Sequence, residues 1–98
     1  MNETEFKASA LDLLKASLGY KSNVRDVLLK KIIEGVIYEL TDEKGIKLEY
    51  DNTSHLMFVV DLSAFRYDNK GGNVMPRNLE YRLRNLIIKF GGGGTQIV

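Results

Sequence analysis

The sequence predicts an all-α fold: a small four-helix bundle over residues 1–90, followed by a flexible glycine-rich tail at residues 91–98. Three observations predict it. Four stretches carry apolar residues at helical spacing, capping residues or breakers stand at their ends, and a Gly71-Gly72 loop and a Gly91–Gly94 run flank the last of them. A chain of 98 residues supports one modest core and no second one.

The first helix spans residues 4–18, where Phe6, Ala10, Leu11, Leu14 and Leu18 share a face and Gly19 follows as a left-handed cap. Ser22 or Asn23 caps the second, with Asp26 in its first turn, and the helix runs to about Lys44 before stopping at Gly45. Its residues Leu28, Leu29, Ile32, Ile33, Val36, Ile37 and Leu40 spread over half the helical wheel. A stripe that wide needs two neighbours to cover it. Gly35 inside this helix costs roughly 1 kcal/mol relative to alanine, which fits either close approach by another helix or plain tolerance.

Residues 46–62 read two ways. Ile46–Tyr50 alternates in strand fashion and His55–Leu62 is rich in β-formers, with Asp51-Asn52 as a turn between them, so a hairpin is locally compatible. A third helix at 53–68 is favoured, because Asn52 or Thr53 is a good cap. The stripe Leu56, Val59, Val60, Ser63, Ala64 and Tyr67 also outruns a strand. Residues 68–74 form a loop, and Pro76 opens a fourth helix that runs to about Phe90. On it Leu79, Leu83, Leu86, Ile87 and Phe90 face the core, while Asn78, Arg82, Asn85 and Lys89 make a polar stripe. Tyr81 and Ile88 fall on the far side, as an interface element or as two isolated surface hydrophobes.

Composition narrows the chemistry. There is no cysteine and one histidine, His55, which argues against disulfides, thiolate metal sites and most histidine metal sites. His55 reads as a first-turn helix residue. The acids Asp42, Glu43, Glu49 and Asp51 have no histidine partner and no calcium-loop spacing, and Gly91–Gly94 lacks the lysine and following helix of a phosphate-binding loop. No catalytic, cofactor-binding or metal-ligating set emerges, so the expectation is a non-enzyme without cofactors. No apolar run reaches the roughly 20 residues a membrane span needs, and Met1–Lys7 is unlike a secretory signal, pointing to a cytoplasmic chain.

Charge is unevenly spread: residues 1–65 hold 8 basic and 11 acidic side chains, residues 66–89 hold 6 and 2. Such a split suits nucleic acid, an acidic partner, or contact between opposite faces of identical copies. Asp61, set among Phe58, Val59, Val60, Leu62 and Phe65, needs a partner if buried, and an arginine of the fourth helix could supply it. The alternative is an Asp reaching water.

The segments Met57-Phe58-Val59-Val60-Asp61, Arg66-Tyr67-Asp68-Asn69, Met75-Pro76-Arg77-Asn78-Leu79 and Arg82-Leu83-Arg84-Asn85-Leu86 resemble the head-tail connector proteins of tailed bacteriophages. These are the small adaptor, or head-completion, proteins of siphophages, and the similarity runs from about Leu11 to Lys89. The resemblance implies a helical bundle docking as a ring, usually of twelve copies, under the portal protein at the capsid vertex. It further implies a platform for a stopper or tail-completion protein and a channel through which genomic DNA passes without sequence-specific contacts. The place implied is the head-tail interface of the virion, reached by assembly in the host cytoplasm. By the same resemblance Arg66, Tyr67, Asn69, Arg77, Tyr81, Arg82, Arg84 and Ile88 are candidate subunit or portal contacts, with Arg66–Asn69 fixing the loop 69–74. The tail, with its β-prone Thr95–Val98, is a candidate tether. A small helical nucleic-acid-binding regulator is the alternative, encouraged by the basic final third.

Overall fold

The computed structural model describes residues 1–69, 72 and 74–91. The tail expectation for residues 92–98 and positions 70, 71 and 73 of the loop lie outside them.

Among the described residues there are four α-helices, as the periodicities predict. Helix α1 spans Glu3–Leu18 and α2 spans Asp26–Tyr38, running on into a π-helical turn at Glu39–Glu43; α3 is Thr53–Asp68 and α4 is Arg77–Phe90. Asn2 caps α1 reciprocally with Glu5: its side chain accepts from the Glu5 amide at 2.8 Å, and Glu5 accepts from the Asn2 amide at 3.0 Å. Gly19 at φ 80° closes the other end, with the Gly19 amide on Ala16 and the Tyr20 amide on Lys15, the paired bonds of a Schellman turn.

The start of α2 differs from expectation. Neither Ser22 nor Asn23 caps it; Arg25 takes the cap position without a side-chain bond. Asn23 is engaged elsewhere, accepting from Lys15 Nζ at 2.8 Å, and Lys15 also pairs with Asp26 at 2.9 Å. One lysine thereby ties α1 to the first turn of α2, and the cap side chain is spent on that link. At the other end the backbone widens: Lys44 donates to the Glu39 carbonyl and Thr41 Oγ1 to the Ile37 carbonyl. Gly45, at φ 71°, then turns the chain.

Asn52 caps α3, accepting from the His55 amide at 3.2 Å, so 53–68 is helical and no hairpin forms. The alternation of Ile46–Tyr50 is nevertheless real. Ile46 is buried and Leu48 and Tyr50 half-buried, while Lys47 and Glu49 are exposed, in an extended segment without a sheet. Its partner is the end of α4: Lys47 donates to the Phe90 carbonyl at 2.7 Å and Ile46 bridges to Gly91.

Helices α1, α2 and α3 pack mutually around Phe6, Leu14, Leu29, Ile33, Leu40, Phe58 and Leu62, all fully buried. Helices α1 and α3 cover the broad stripe of α2 from two sides at Leu29, Ile33, Val36, Ile37 and Leu40, but leave Ile32 half-buried and Leu28 43% exposed, so the stripe is covered less completely than its width predicts. Among the helices α4 touches α3 alone. The architecture is therefore a three-helix core with a fourth helix laid on one side, flattened to 43 × 32 × 18 Å. Gly35 is exposed and a methyl group there would meet nothing within 4 Å, so close helix approach is not its reason.

Two substitutions test this packing by urea unfolding. Phe58→Ala should lose about 3–5 kcal/mol through the cavity it leaves, whereas Gly35→Ala should gain roughly 0.5–1 kcal/mol by removing backbone freedom from an open helix position.

Candidate interaction surface

Helix α4 presents three faces. The inner one seats Leu79 and Leu86, buried, with Leu83, Ile87 and Phe90 half-buried against the core. The outer one is a single stripe at spacings of four, three and four: Arg77, Tyr81, Arg84 and Ile88, all exposed, with Tyr81 at 65% and Ile88 at 72%. Two large apolar side chains on one line, each framed by an arginine, constitute a surface water solvates poorly. The third face carries Arg82, Asn85 and Lys89 and turns toward the start of α3.

Other residues singled out by sequence lie elsewhere. Arg66 donates through Nη2 to both carboxylate oxygens of Glu39, at 3.0 and 2.8 Å, fastening α3 to the π-helical turn. The Tyr67 hydroxyl meets that of Tyr20 at 2.9 Å, under the Arg25 guanidinium 4.4 Å from the Tyr20 ring. That shared hydrogen bond, then desolvation, raises the Tyr20 pKa. Asn69 ends α3, its amide and side chain both donating to the Phe65 carbonyl. Arg66 and Tyr67 thus tie α3 to other parts of the chain and Asn69 closes the end of α3, while Arg77, Tyr81, Arg84 and Ile88 share the outer face.

The arginine that meets Asp61 is Arg82, Nη1 to Oδ2 at 2.9 Å, with its guanidinium 5.1 Å from the Phe58 ring centre. The side chains are 35% and 43% exposed, so this is a half-open link between α3 and α4 in which the two alternatives for Asp61, an arginine partner and contact with water, coexist. Hydration explains why Asp61 is tolerated beside so many apolar neighbours.

Beside this pair lies a groove of about 540 Å³, walled by Ser54, Met57 and Phe58 on one side and Arg82, Asn85 and Lys89 on the other. His55 also lines it and is 1% exposed. Its Nδ1 accepts from the Glu49 amide at 3.0 Å, which in the neutral ring leaves the proton on Nε2, and its ring meets Phe90 edge-on at 4.4 Å. Nε2 is buried without a hydrogen-bond partner. Burial therefore lowers the His55 pKa, against a smaller upward pull from Glu49. This residue joins the 46–50 segment, α3 and α4 at one point, a role its place in the first turn does not announce. Among the described residues no group of three or more His, Asp or Glu side chains gathers as metal ligands do.

No family model, curated protein or solved structure matches this chain.

Protonating His55 would charge a buried ring, so the unfolded chain binds that proton more readily. The stability His55 contributes is present above the ordinary histidine pKa of about 6.5 and is lost as pH falls through the lower folded-state value. Urea midpoints should thus drop between about pH 7.5 and 5.5, a drop flattened in His55→Gln, and no second histidine confuses the reading. Asp61→Asn, by contrast, should cost only about 0.2–1 kcal/mol, as exposed pairs do, and less in high salt.

Proposed function

We propose that the chain is a structural assembly protein, a subunit of a phage head-tail connector ring that docks under the portal, extends the DNA channel and seats a stopper or tail protein. The observation that carries this reading is the outer stripe of α4. A helix held on one side by α3 offers an opposite side on which arginines alternate with a tyrosine and an isoleucine. Arginine and aromatic side chains are the types enriched where proteins bury surface against proteins. The resemblance read in the sequence from about Leu11 to Lys89 suggests the kind of assembly.

In this reading the three-helix core acts as a rigid wedge. The internal links Arg66–Glu39, Tyr67–Tyr20 and Arg82–Asp61 fix α3, and through it α4, before any partner arrives. Docking then costs little ordering of the helices. Nucleic-acid regulation is the second reading. Among the described residues two of the late arginines, Arg66 and Arg82, pair with acids inside the chain, which leaves Arg77, Arg84 and Lys89 as a thin cationic set. Few phosphates can be neutralised by so few charges.

Mixing the purified chain with portal assemblies should give ring-shaped densities beneath the portal in electron micrographs. Ile88→Glu should abolish them while shifting unfolding by no more than about 0.5 kcal/mol, as surface changes do. Failure to bind portal assemblies at both low and moderate salt would overturn the connector reading. Sequence-specific duplex binding by fluorescence anisotropy would replace it with the regulator.

A further inference from the structure

The outer face of α1 repeats the spacing of the α4 stripe with opposite chemistry. Glu5, Ser9, Asp12 and Ala16 follow the same four, three, four steps as Arg77, Tyr81, Arg84 and Ile88. Where α4 has a cation α1 has an acid, and where α4 has a large apolar group α1 has a small residue. Asp12 and Ala16 are exposed and Ser9 half-buried, with Ala8 and Leu13 exposed alongside, and Glu5 is exposed while one of its carboxylate oxygens accepts from the Asn2 amide in the α1 cap. The α1 core residues Phe6, Ala10, Leu11 and Leu14 occupy the opposite side of the helix.

We infer that the α4 stripe of one copy docks on the α1 stripe of a second copy, the two helices parallel and in register. Steps of four and three residues form a heptad-type seam, and in a parallel pair each position meets its equivalent on the partner helix. Arg77 then meets Glu5, Tyr81 packs over Ser9, Arg84 meets Asp12 and Ile88 packs over Ala16. Reversing one helix sets the arginines against Ser9 and Ala16 and the apolar groups against the acids, which loses both matches. Pairing like with like fails as well: two α4 stripes bring arginines together and two α1 stripes bring carboxylates together.

The flanks of the seam do not oppose it. Glu80 falls beside Leu13, and Asn85 beside Ala8, with no like charges facing. Lys15, the nearest cation on α1, is held by Asp26 and Asn23 and points into the α2 junction. Within one chain α1 and α4 do not touch, so neither stripe satisfies the other internally. Each copy thus carries one complementary half of the contact on α4 and the other on α1, an arrangement that closes as a reciprocal dimer, a ring or an open filament according to the rotation between copies.

The inference rests on the ring-subunit reading for its setting, but charge exchange tests it separately. Sedimentation velocity of the chain alone at low salt should show concentration-dependent self-association that fades as salt is raised. Arg77→Glu with Arg84→Glu should abolish it, and so should Glu5→Arg with Asp12→Arg. An equimolar mixture of those two double variants should associate again, because each presents the stripe that the other now needs; the quadruple variant should self-associate too. A monomeric wild type throughout, or variants whose mixture stays monomeric while circular dichroism shows both folded, overturns the inference. If the mixture recovers but portal binding is absent, the contact stands and the connector reading falls; if portal rings form with either double variant alone, the reverse holds.

Discussion

Helix α4 is seated from one side only, and that leaves Arg77, Tyr81, Arg84 and Ile88 facing outward. Its hold consists of an apolar strip against α3, the half-open Arg82–Asp61 pair, and the backbone contacts of Ile46 and Lys47 with Gly91 and Phe90. The buried apolar side chains of α1, α2 and α3 are spent on their shared core, and no described helix other than α3 packs against α4. The outer stripe is therefore a topological remainder as much as a feature of composition, and its arginines and apolar groups stand uncovered in the single chain.

The same constraint separates the arginines into two populations. Arg66 and Arg82 reach acids on neighbouring elements and serve as struts, whereas Arg77 and Arg84 stand on the exposed side of α4. Residue type alone cannot make that division, since all four occupy amphipathic helices in the basic third of the chain. It depends on where Glu39 and Asp61 come to lie, and Glu39 is brought to Arg66 across a sequence gap of 27 residues.

Much of the fold was legible because helical periodicity is a local signal. The stripes of α1, α3 and α4 place those helices within a residue or two of their observed ends, and the Asn52 cap together with the long Leu56–Tyr67 stripe correctly outweighs the β-formers of 55–62. What was not legible depends on distant partners. Lys15 draws Asn23 away from capping α2, the π-helical turn at 39–43 has no simple pattern, and the inward alternation of 46–50 finds its match at residue 91 rather than in a hairpin. Of the candidate contact residues, the outward position of Tyr81 and Ile88 could be counted on a wheel. The internal duties of Arg66, Tyr67 and Asn69 could not, nor could the burial of His55 against a backbone amide six residues earlier.

Gly91 gives the end of α4 a particular character. A Cβ at this position would sit 2.3 Å from the Ile87 carbonyl oxygen, closer than any side chain tolerates, while the residue's backbone bridges Ile46. Glycine-rich runs are ordinarily regarded as interchangeable spacer, tolerant of drift. Here the first member of the run is a mooring post, so among naturally arising variants even alanine at codon 91 should be selected against on steric grounds.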